Sequence, residues 1–335
     1  MQALITGGAG FVGSHLSERL LNEGYRVTVL DDLSTGSMAN ISHLKGTPGF
    51  HYVIDSIMNK RLLAELVDEC DIVFHLAAAV GVRLIVESPV RTLHTNVHGT
   101  EVILDAATKK RKKVLVVSTS EVYGKSTKIP FNENDDLVIG PPGCSRWSYA
   151  CSKAMDEFLA LSYYSEKNLP VIVVRLFNTV GPRQIGTYGM VLPRFVEAAL
   201  AGRPITIYGD GNQTRCFGWV GDVVGALSRL GELDSAVGNV FNIGSNEEIS
   251  INGLADVVKK IAGSNSPVVH ISYDEAYGKN FEDMYKRVPD LTKIKNAIGY
   301  TPTKCLREIV QAVAEYLGPQ EKMTMRRTAD LVSAD

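Results

Sequence analysis

From Met1 to about residue 175 the chain alternates short apolar runs with stretches whose apolar positions recur at helical spacing. The runs are ALIT, RVTVL, HYVI, DIVFHLA, KVLVVST and VIVVRL. They are continuously apolar instead of alternating in and out, which predicts strands buried on both faces and so a parallel sheet covered by helices on each side. The expected fold class is α/β, with a doubly wound parallel sheet. Between the runs, SHLSERLLNEG reads as a helix closed by Gly24, and VRTLHTNVHGTEVILDAATKK and SYACSKAMDEFLALSYYSEKN are each long enough for several turns.

After RLFNTVGPRQ the alternation breaks into pieces punctuated by Pro and Gly, among them MVLPRFVEAALAG, VFNIGS and INGLADVVKKIAG. This predicts a smaller lobe interleaved with the main domain instead of one following a linker. The expected division is 1–177, with returning segments at about 216–244, for the sheet domain, and 178–317 mainly for the lobe. The tail, 318–335, is polar without clear periodicity and is expected to fray.

Composition narrows the partners. In 335 residues, 45% are hydrophobic and 21% charged, and the formal net charge of -2 supplies no basic field for nucleic acid or an anionic membrane. The one basic cluster, Lys109-Lys110-Arg111-Lys112-Lys113, reads as a solvated helix end. Five widely spaced cysteines (Cys70, Cys144, Cys151, Cys216, Cys305) with no CxxC pair argue against a disulfide framework and a zinc site, and no metal is expected. Met1-Gln2-Ala3-Leu4-Ile5 runs straight into a strand, and no apolar run approaches the roughly 18 residues of a membrane span. The expected location is the cytoplasm.

Candidate chemistry lies at the strand ends. In ALITGGAGFVGSHL, Gly7, Gly8, Gly10 and Gly13 stand between the first strand and its helix, with Phe11 and Val12 inside the motif. Glycines there let the backbone approach a pyrophosphate at the helix N-terminus, where unpaired N–H groups and the dipole favour an anion. This makes the sheet Rossmann-type. Asp31 and Asp32 end the second strand, where an acid can bind a ribose hydroxyl and repel a 2′-phosphate, so NAD is expected over NADP. Asp55 and the segment His75-Leu76-Ala77-Ala78-Ala79 fall where later strand ends would meet adenine and pyrophosphate. His75 by itself reads as a satisfied core residue.

In SRWSYACSKAMDEF, Tyr149 and Lys153 are four apart, on one helix face. An ammonium near a phenol stabilises phenolate, so Tyr149 can act as a base near neutral pH. The strand just upstream ends in Thr119, Ser120 and Glu121.

Taken in order, TGGAGFVG, DDLSTG, HLAA, TNVHGT, STSEVYG, YACSK, RLFNTVGPRQ, ITIYGDGNQTRCFGWVGDV and FNIGS resemble the extended short-chain dehydrogenase/reductase family, the nucleotide-sugar epimerases, dehydratases and decarboxylases. The likeness covers the chain through about residue 317. It implies NAD held through a catalytic cycle, Tyr149 as base on a sugar hydroxyl, Lys153 on the nicotinamide ribose and Thr119 bridging substrate and tyrosine. Asn96 becomes a structural or cofactor-adjacent position. The same resemblance assigns Asn178 to the diphosphate or sugar, Val191 and Arg194 to the neighbourhood of the base, Tyr208 to the uracil, and Arg215 and Arg287 to phosphate oxygens, a task that suits guanidinium forks. It also implies a homodimer through a four-helix bundle built from the helices at about 89–110 and 148–168.

These enzymes share a first step, oxidation of a sugar hydroxyl to a 4-keto intermediate. Dehydratases of the family carry Thr-Asp-Glu after the strand; here the middle residue is Ser120, which is no comparable acid. The triplet Thr119-Ser120-Glu121 resembles UDP-glucuronic acid decarboxylases, whose 4-keto intermediate is a β-keto acid that loses carbon dioxide. The loop AAAVGVRLIVESP looks more like that of 4-epimerases, so 4-epimerisation of a UDP-hexose or UDP-hexuronic acid is the alternative, and a non-catalytic NAD-binding module a remote one. A UDP-sugar is the expected substrate. A carboxylate on it would need a cation, for which Arg83, Arg183 and Lys125 are candidates.

Overall fold

A computed structural model of the chain describes residues 1–81, 88–187, 189–278 and 282–332, with side chains to residue 319. Six apolar runs become β1 (Gln2–Thr6), β2 (Arg26–Asp31), β3 (Phe50–Ile54), β4 (Ile72–His75), β5 (Lys113–Thr119) and β6 (Val171–Leu176). The later strands are short: β7 (Thr179–Val180), β8 (Ile205–Tyr208), β9 (Thr214–Cys216), β10 (Gly218–Trp219), β11 (Val240–Ile243), β12 (Glu248–Ser250) and β13 (Val268–Ile271). Seven of them form one sheet in the order β11-β6-β5-β4-β1-β2-β3. Every neighbouring pair in it is parallel.

Helices cover both faces, as buried strands of Val, Ile and Leu require. The first are α1 (Phe11–Asn22) and α2 (Lys60–Glu69). The next, α3, runs from Pro89–Leu93 through one π-helical stretch, His94–His98, into Gly99–Thr108. After it come α4 (Arg146–Lys167), α5 (Val191–Leu200), α6 (Val220–Glu232), α7 (Ile251–Ala262), α8 (Tyr273–Tyr277), α9 (Thr292–Ile298) and α10 (Leu306–Val332). One face packs Leu16 and Leu20 of α1 and Val223, Leu227 and Leu230 of α6 against Ile5, Val29 and Phe74. The other packs Leu63, Ile103, Leu104 and Ala160 against Leu4, Val73, Val116 and Val173.

A separate core joins Leu192, Phe195 and Val196 of α5, Leu254 and Val258 of α7, and Ile309 and Val310 of α10. It lies over the sheet's carboxyl edge through short ladders, β7 with β10, β9 with β12 and β8 with β13. Between visits to this lobe the chain returns to lay β11 beside β6 and α6 against the sheet. Helix α10 continues to Val332, so the backbone after residue 317 is helical where the sequence pattern predicts fraying. Among the described residues no helix is long and apolar enough to cross a membrane.

The strand order reverses between β1 and β4. There the loops from the two halves of the sheet diverge and leave a crevice at the strands' carboxyl ends. A cavity of about 1010 Å³ fills that crevice and extends under the lobe.

Candidate active site

At the β1 end of the cavity the chain turns through Gly7, whose φ of +72° suits glycine. A Cβ built on Gly13 would stand 2.3 Å from the Gly7 carbonyl oxygen, so only glycine permits this contact between loop and α1. Gly10, Phe11 and Val12 line the same wall. Asp31, buried at the end of β2, accepts from the backbone N–H of Ala9 at 2.9 Å and of Leu33 at 2.8 Å. Burial pushes its carboxyl upward against those donors. Asp31 thus braces the glycine turn as well as lining the cavity. Asp32 is a turn cap, accepting from the Ser34 N–H at 2.9 Å. Asp55 accepts from Ser56 N–H and from Asn59, just before α2, and also lines the cavity.

Leu76, Ala77 and Ala78 follow β4 along the opposite wall. Asn96, in the π-helical stretch, is fully buried; it accepts from Ala79 N–H at 2.8 Å and donates to Ser152 Oγ at 3.0 Å. It therefore ties α4 to this wall. His75 is the satisfied core residue that the sequence suggests, between Thr6 and Thr100 hydroxyls at 2.8 and 3.1 Å. Burial, with the Lys153 charge nearby, pushes its pKa down to about 3. Narrow glycine backbone, a carboxylate at the end of β2 and a helix N-terminus facing one cavity fit a dinucleotide.

The other end of the cavity is the mouth of β5. Thr119 Oγ1 accepts from Glu121 N–H at 3.3 Å, turning the chain into the 3₁₀ stretch Ser120–Tyr123, and hydrogen-bonds the Tyr149 phenol. Burial, then the negative charges of Glu121 and Asp156, push the Tyr149 phenol upward, while Thr119 and Arg287 pull it down. Lys153 is one turn along α4, and its Nζ donates to Asp156 Oδ2 at 2.6 Å. The spacing of three brings Asp156 onto the same helix face, so the ammonium charge expected to serve Tyr149 is directed at this carboxylate.

Glu121 stands in a buried charge cluster. Its Oε1 lies 3.4 Å from Arg146 Nη2 and 3.2 Å from Arg287 Nη1. Arg146 reaches Asp283 at 2.9 Å, and Arg215 reaches the other oxygen of Asp283 at 2.8 Å. The effect on each guanidinium follows from its neighbours. Burial lowers the Arg146 value, but Glu121 and Asp283 raise it above the ordinary one. Burial and the adjacent Arg215 push Arg287 down to about 10. Ser120 Oγ and Glu121 Oε2 are buried beside the cavity with no hydrogen-bond partner among the described residues. Such atoms suit a polar ligand at this end.

Beyond the cluster, Arg194 lies with its guanidinium 4.3 Å from the Tyr208 ring centre and donates to Thr206 O at 3.1 Å. Tyr277 packs edge-on to Tyr208 at 5.2 Å. Val191 begins α5 on the same wall, and Asn178 donates to Cys216 O at 3.1 Å.

The sequence reading separates Arg287 from Glu121, giving one to phosphate and the other to the reacting sugar; the fold brings them into contact. Of the cations proposed for a substrate carboxylate, Arg183 is bound to Glu18 and Ser14 against α1, and Lys125 pairs with Glu282 at 2.6 Å outside the large cavity. Arg83, with the other residues of 82–87 in the loop that resembles epimerases, lies outside the described residues. Arg146 and Asp283 are what sequence reading missed. Arg146, three residues before Tyr149, shares its helix face and was open to the same spacing argument; Asp283 carries no local signal.

Comparison with known proteins agrees with this geometry. Residues 4–313 match the family model described as GDP-mannose 4,6 dehydratase. The chain is 43% identical over 316 residues to a UDP-N-acetyl-alpha-D-glucosaminuronate decarboxylase of Bacillus cytotoxicus, covering 92% of this chain and 97% of that protein. It is 35% identical over 313 residues to UDP-glucuronic acid decarboxylase 1 of Xenopus tropicalis, covering 93% and 71%. The solved UDP-glucuronic acid 4-epimerase of Bacillus cereus, in complex with UDP-glucuronic acid and NAD, superposes with a TM-score of 0.86 at 28% identity, over 96% of this chain and all of that one. With its Rossmann-type sheet, dinucleotide wall and Tyr149-Lys153 pair, the chain belongs to the GDP-mannose 4,6 dehydratase family, the NAD-dependent extended short-chain dehydrogenase/reductases that act as nucleotide-sugar epimerases, dehydratases and decarboxylases.

Proposed function

We propose that the protein decarboxylates a UDP-hexuronic acid through a 4-keto intermediate, converting UDP-glucuronic acid to the UDP-pentose UDP-xylose. The observation that carries this is Glu121, held with Thr119 and Ser120 at the mouth of β5 beside Tyr149. Thr119 holds the phenol and the sugar hydroxyl together, and Tyr149 takes the hydroxyl proton. Bound NAD would supply the hydride acceptor for that carbon and, reduced, the donor for its return. Lys153, held by Asp156, serves the nicotinamide ribose. The resulting β-keto acid loses carbon dioxide as the electron pair of the breaking bond passes into a C4–C5 enolate, which takes a proton from solvent at C5 before the 4-keto group is reduced. Ser120 in the middle of the triplet lacks the acid that dehydration needs, and Glu121 guides the group at C5.

Gly7, Gly10, Phe11, Val12 and Gly13 would take the pyrophosphate, Asp31 with Asp32 the adenosine ribose, and Asp55 with Leu76, Ala77 and Ala78 the adenine side. Asn178 and Arg215 would hold the substrate diphosphate, and Val191, Arg194 and Tyr208 the uracil. The stacked Arg194 and Tyr208 support that last assignment.

Incubation with NAD and either UDP-glucuronic acid or its 2-acetamido analogue, followed by mass analysis, tests the reading. The analogue is included because the Bacillus cytotoxicus relative bears that name. Loss of a carbon dioxide mass is expected. An isomer of unchanged mass would replace it with 4-epimerisation, which the likeness to the Bacillus cereus epimerase favours.

A homodimer belongs to the same reading. Val90 and Leu93 of α3 and Met155 and Phe158 of α4 are exposed apolar residues, with Phe158 65% exposed. Pairing α3 and α4 with their copies in a four-helix bundle would cover them. Light scattering of the wild type and Phe158→Asp should give a dimer and a weakened one; a monomeric wild type excludes it. Cysteines that are all free suit the reducing cytoplasm as the place of action.

A further inference from the structure

We infer that Glu121 is an internal stand-in for the substrate's carboxylate: it occupies the guanidinium groups of Arg146 and Arg287, and the hexuronic acid binds by taking them over. The inference rests on the decarboxylase reading and adds to it the residue, Arg146, that selects the acid.

The present pairing is loose. One oxygen, Glu121 Oε1, is shared between two guanidinium groups at 3.4 and 3.2 Å, while Oε2 and Arg287 Nε are buried without a hydrogen-bond partner among the described residues. Guanidinium–carboxylate bonds normally close to about 2.7–2.9 Å and use both oxygens. Glu121 is restrained from doing so by its backbone, which Thr119 pins at the end of β5. A carboxylate on a bound ligand has no such restraint.

Charge points the same way. Among the described residues three guanidinium groups, Arg146, Arg215 and Arg287, crowd around Glu121 and Asp283, and the Arg215 charge is one of the causes that hold Arg287 below its ordinary value. Crowding like charges in a buried site is costly, and an arriving anion offsets that cost. Asp283 holds Arg146 from the other side at 2.9 Å, so Arg146 stays placed when Glu121 turns away.

Position completes the argument. In a hexuronic acid the carboxylate is carried on C5, next to the C4 hydroxyl that Tyr149 deprotonates. Arg146 lies three residues before Tyr149 on α4, and the charges of Glu121 and Arg287 both act on the Tyr149 phenol, so the cluster stands beside the base, within reach of a group on the next carbon. A neutral hydroxymethyl group in its place gives the guanidinium groups no reason to leave Glu121. Carbon dioxide, once formed, carries no charge, and Glu121 returns to the fork as it departs.

Titration calorimetry of the NAD-loaded protein with UDP-glucuronic acid and with UDP-glucose separates this from a structural role. Arg146→Met should weaken UDP-glucuronic acid about 30-fold while UDP-glucose changes by no more than about twofold. Arg146→Lys, which keeps the charge but loses the fork, should fall between, and replaces the Met variant if melting shows that variant unfolded. Glu121→Gln should do the opposite, tightening UDP-glucuronic acid about threefold or more and leaving UDP-glucose unchanged. Equal losses on both ligands in the Arg146 variants, or weaker UDP-glucuronic acid binding by Glu121→Gln, would overturn the inference. Because binding is read, intact discrimination with no carbon dioxide released from either acid would sink the decarboxylase reading alone.

Discussion

The two ends of the cavity are built by different physics. At the dinucleotide end, shape and hydrogen bonds without ion pairs dominate: glycine backbone, the backbone N–H groups that donate to Asp31, the hydroxyls around His75, and Asn96 between two walls. At the sugar end the contacts are between full charges, drawn from the turn after β5, the start of α4, β9 and the segment 283–287. A cofactor retained through the cycle calls for a fixed cradle with little strain. A substrate whose charge changes during the reaction calls for a site whose charges can re-pair. The difference teaches that a rigid cradle and a cluster of ion pairs are segregated within one crevice.

The largest effect expected at the sugar end comes from Tyr149→Phe, which should slow substrate-dependent NADH formation about 1000-fold, the scale of a lost general base, with NAD binding unchanged. Equal loss of NAD binding would mean that the two ends are not separable. At the cradle, Gly13→Ala should cost about 1–3 kcal/mol of stability, because its Cβ meets backbone of the Gly7 turn that cannot give way. An unaltered denaturation midpoint would show that the contact has slack.

His75 sharpens the comparison through pH. Its folded pKa, about 3, lies below the ordinary 6.5, so its contribution to stability is complete above 6.5 and is lost as pH falls toward 3. The slope over that window is about 1.4 kcal/mol per pH unit for one proton. Denaturant titrations at several pH values should find it, and His75→Gln should flatten it; an equal slope in the variant would assign acid sensitivity to other groups. Smallest is the effect of Glu121→Gln on Tyr149. Removing an anion that pushes the phenol up should move the rise of the first oxidation to lower pH, by about one unit. A limb that stays in place would mean that Glu121 does not share the field of the base.

Much of the dinucleotide end was legible because its parts are local. A strand, a glycine turn and a helix occupy fourteen consecutive residues, ALITGGAGFVGSHL, and the acid at Asp31 closes the next strand. Tyr149 and Lys153 were legible for the same reason, being one helical turn apart. Asp156 is on that same turn, yet its pairing with Lys153 was not anticipated, because helix spacing allows several partners and burial chooses among them. Arg287 was assigned apart from Glu121, although the two residues touch across 166 positions of chain.

The pattern of apolar runs determined the parallel sheet, its helices and the crevice at the strand ends, because burial on two faces leaves a periodicity that local reading detects. Resemblance of the triplet Thr119-Ser120-Glu121 narrowed the chemistry. Only the tertiary structure decided which cations meet Glu121, since Arg146, Arg215 and Arg287 come from three segments and Asp283 joins them without any spacing of its own. Local periodicity reports burial, whereas charge pairing between distant segments depends on how the lobe closes over the sheet.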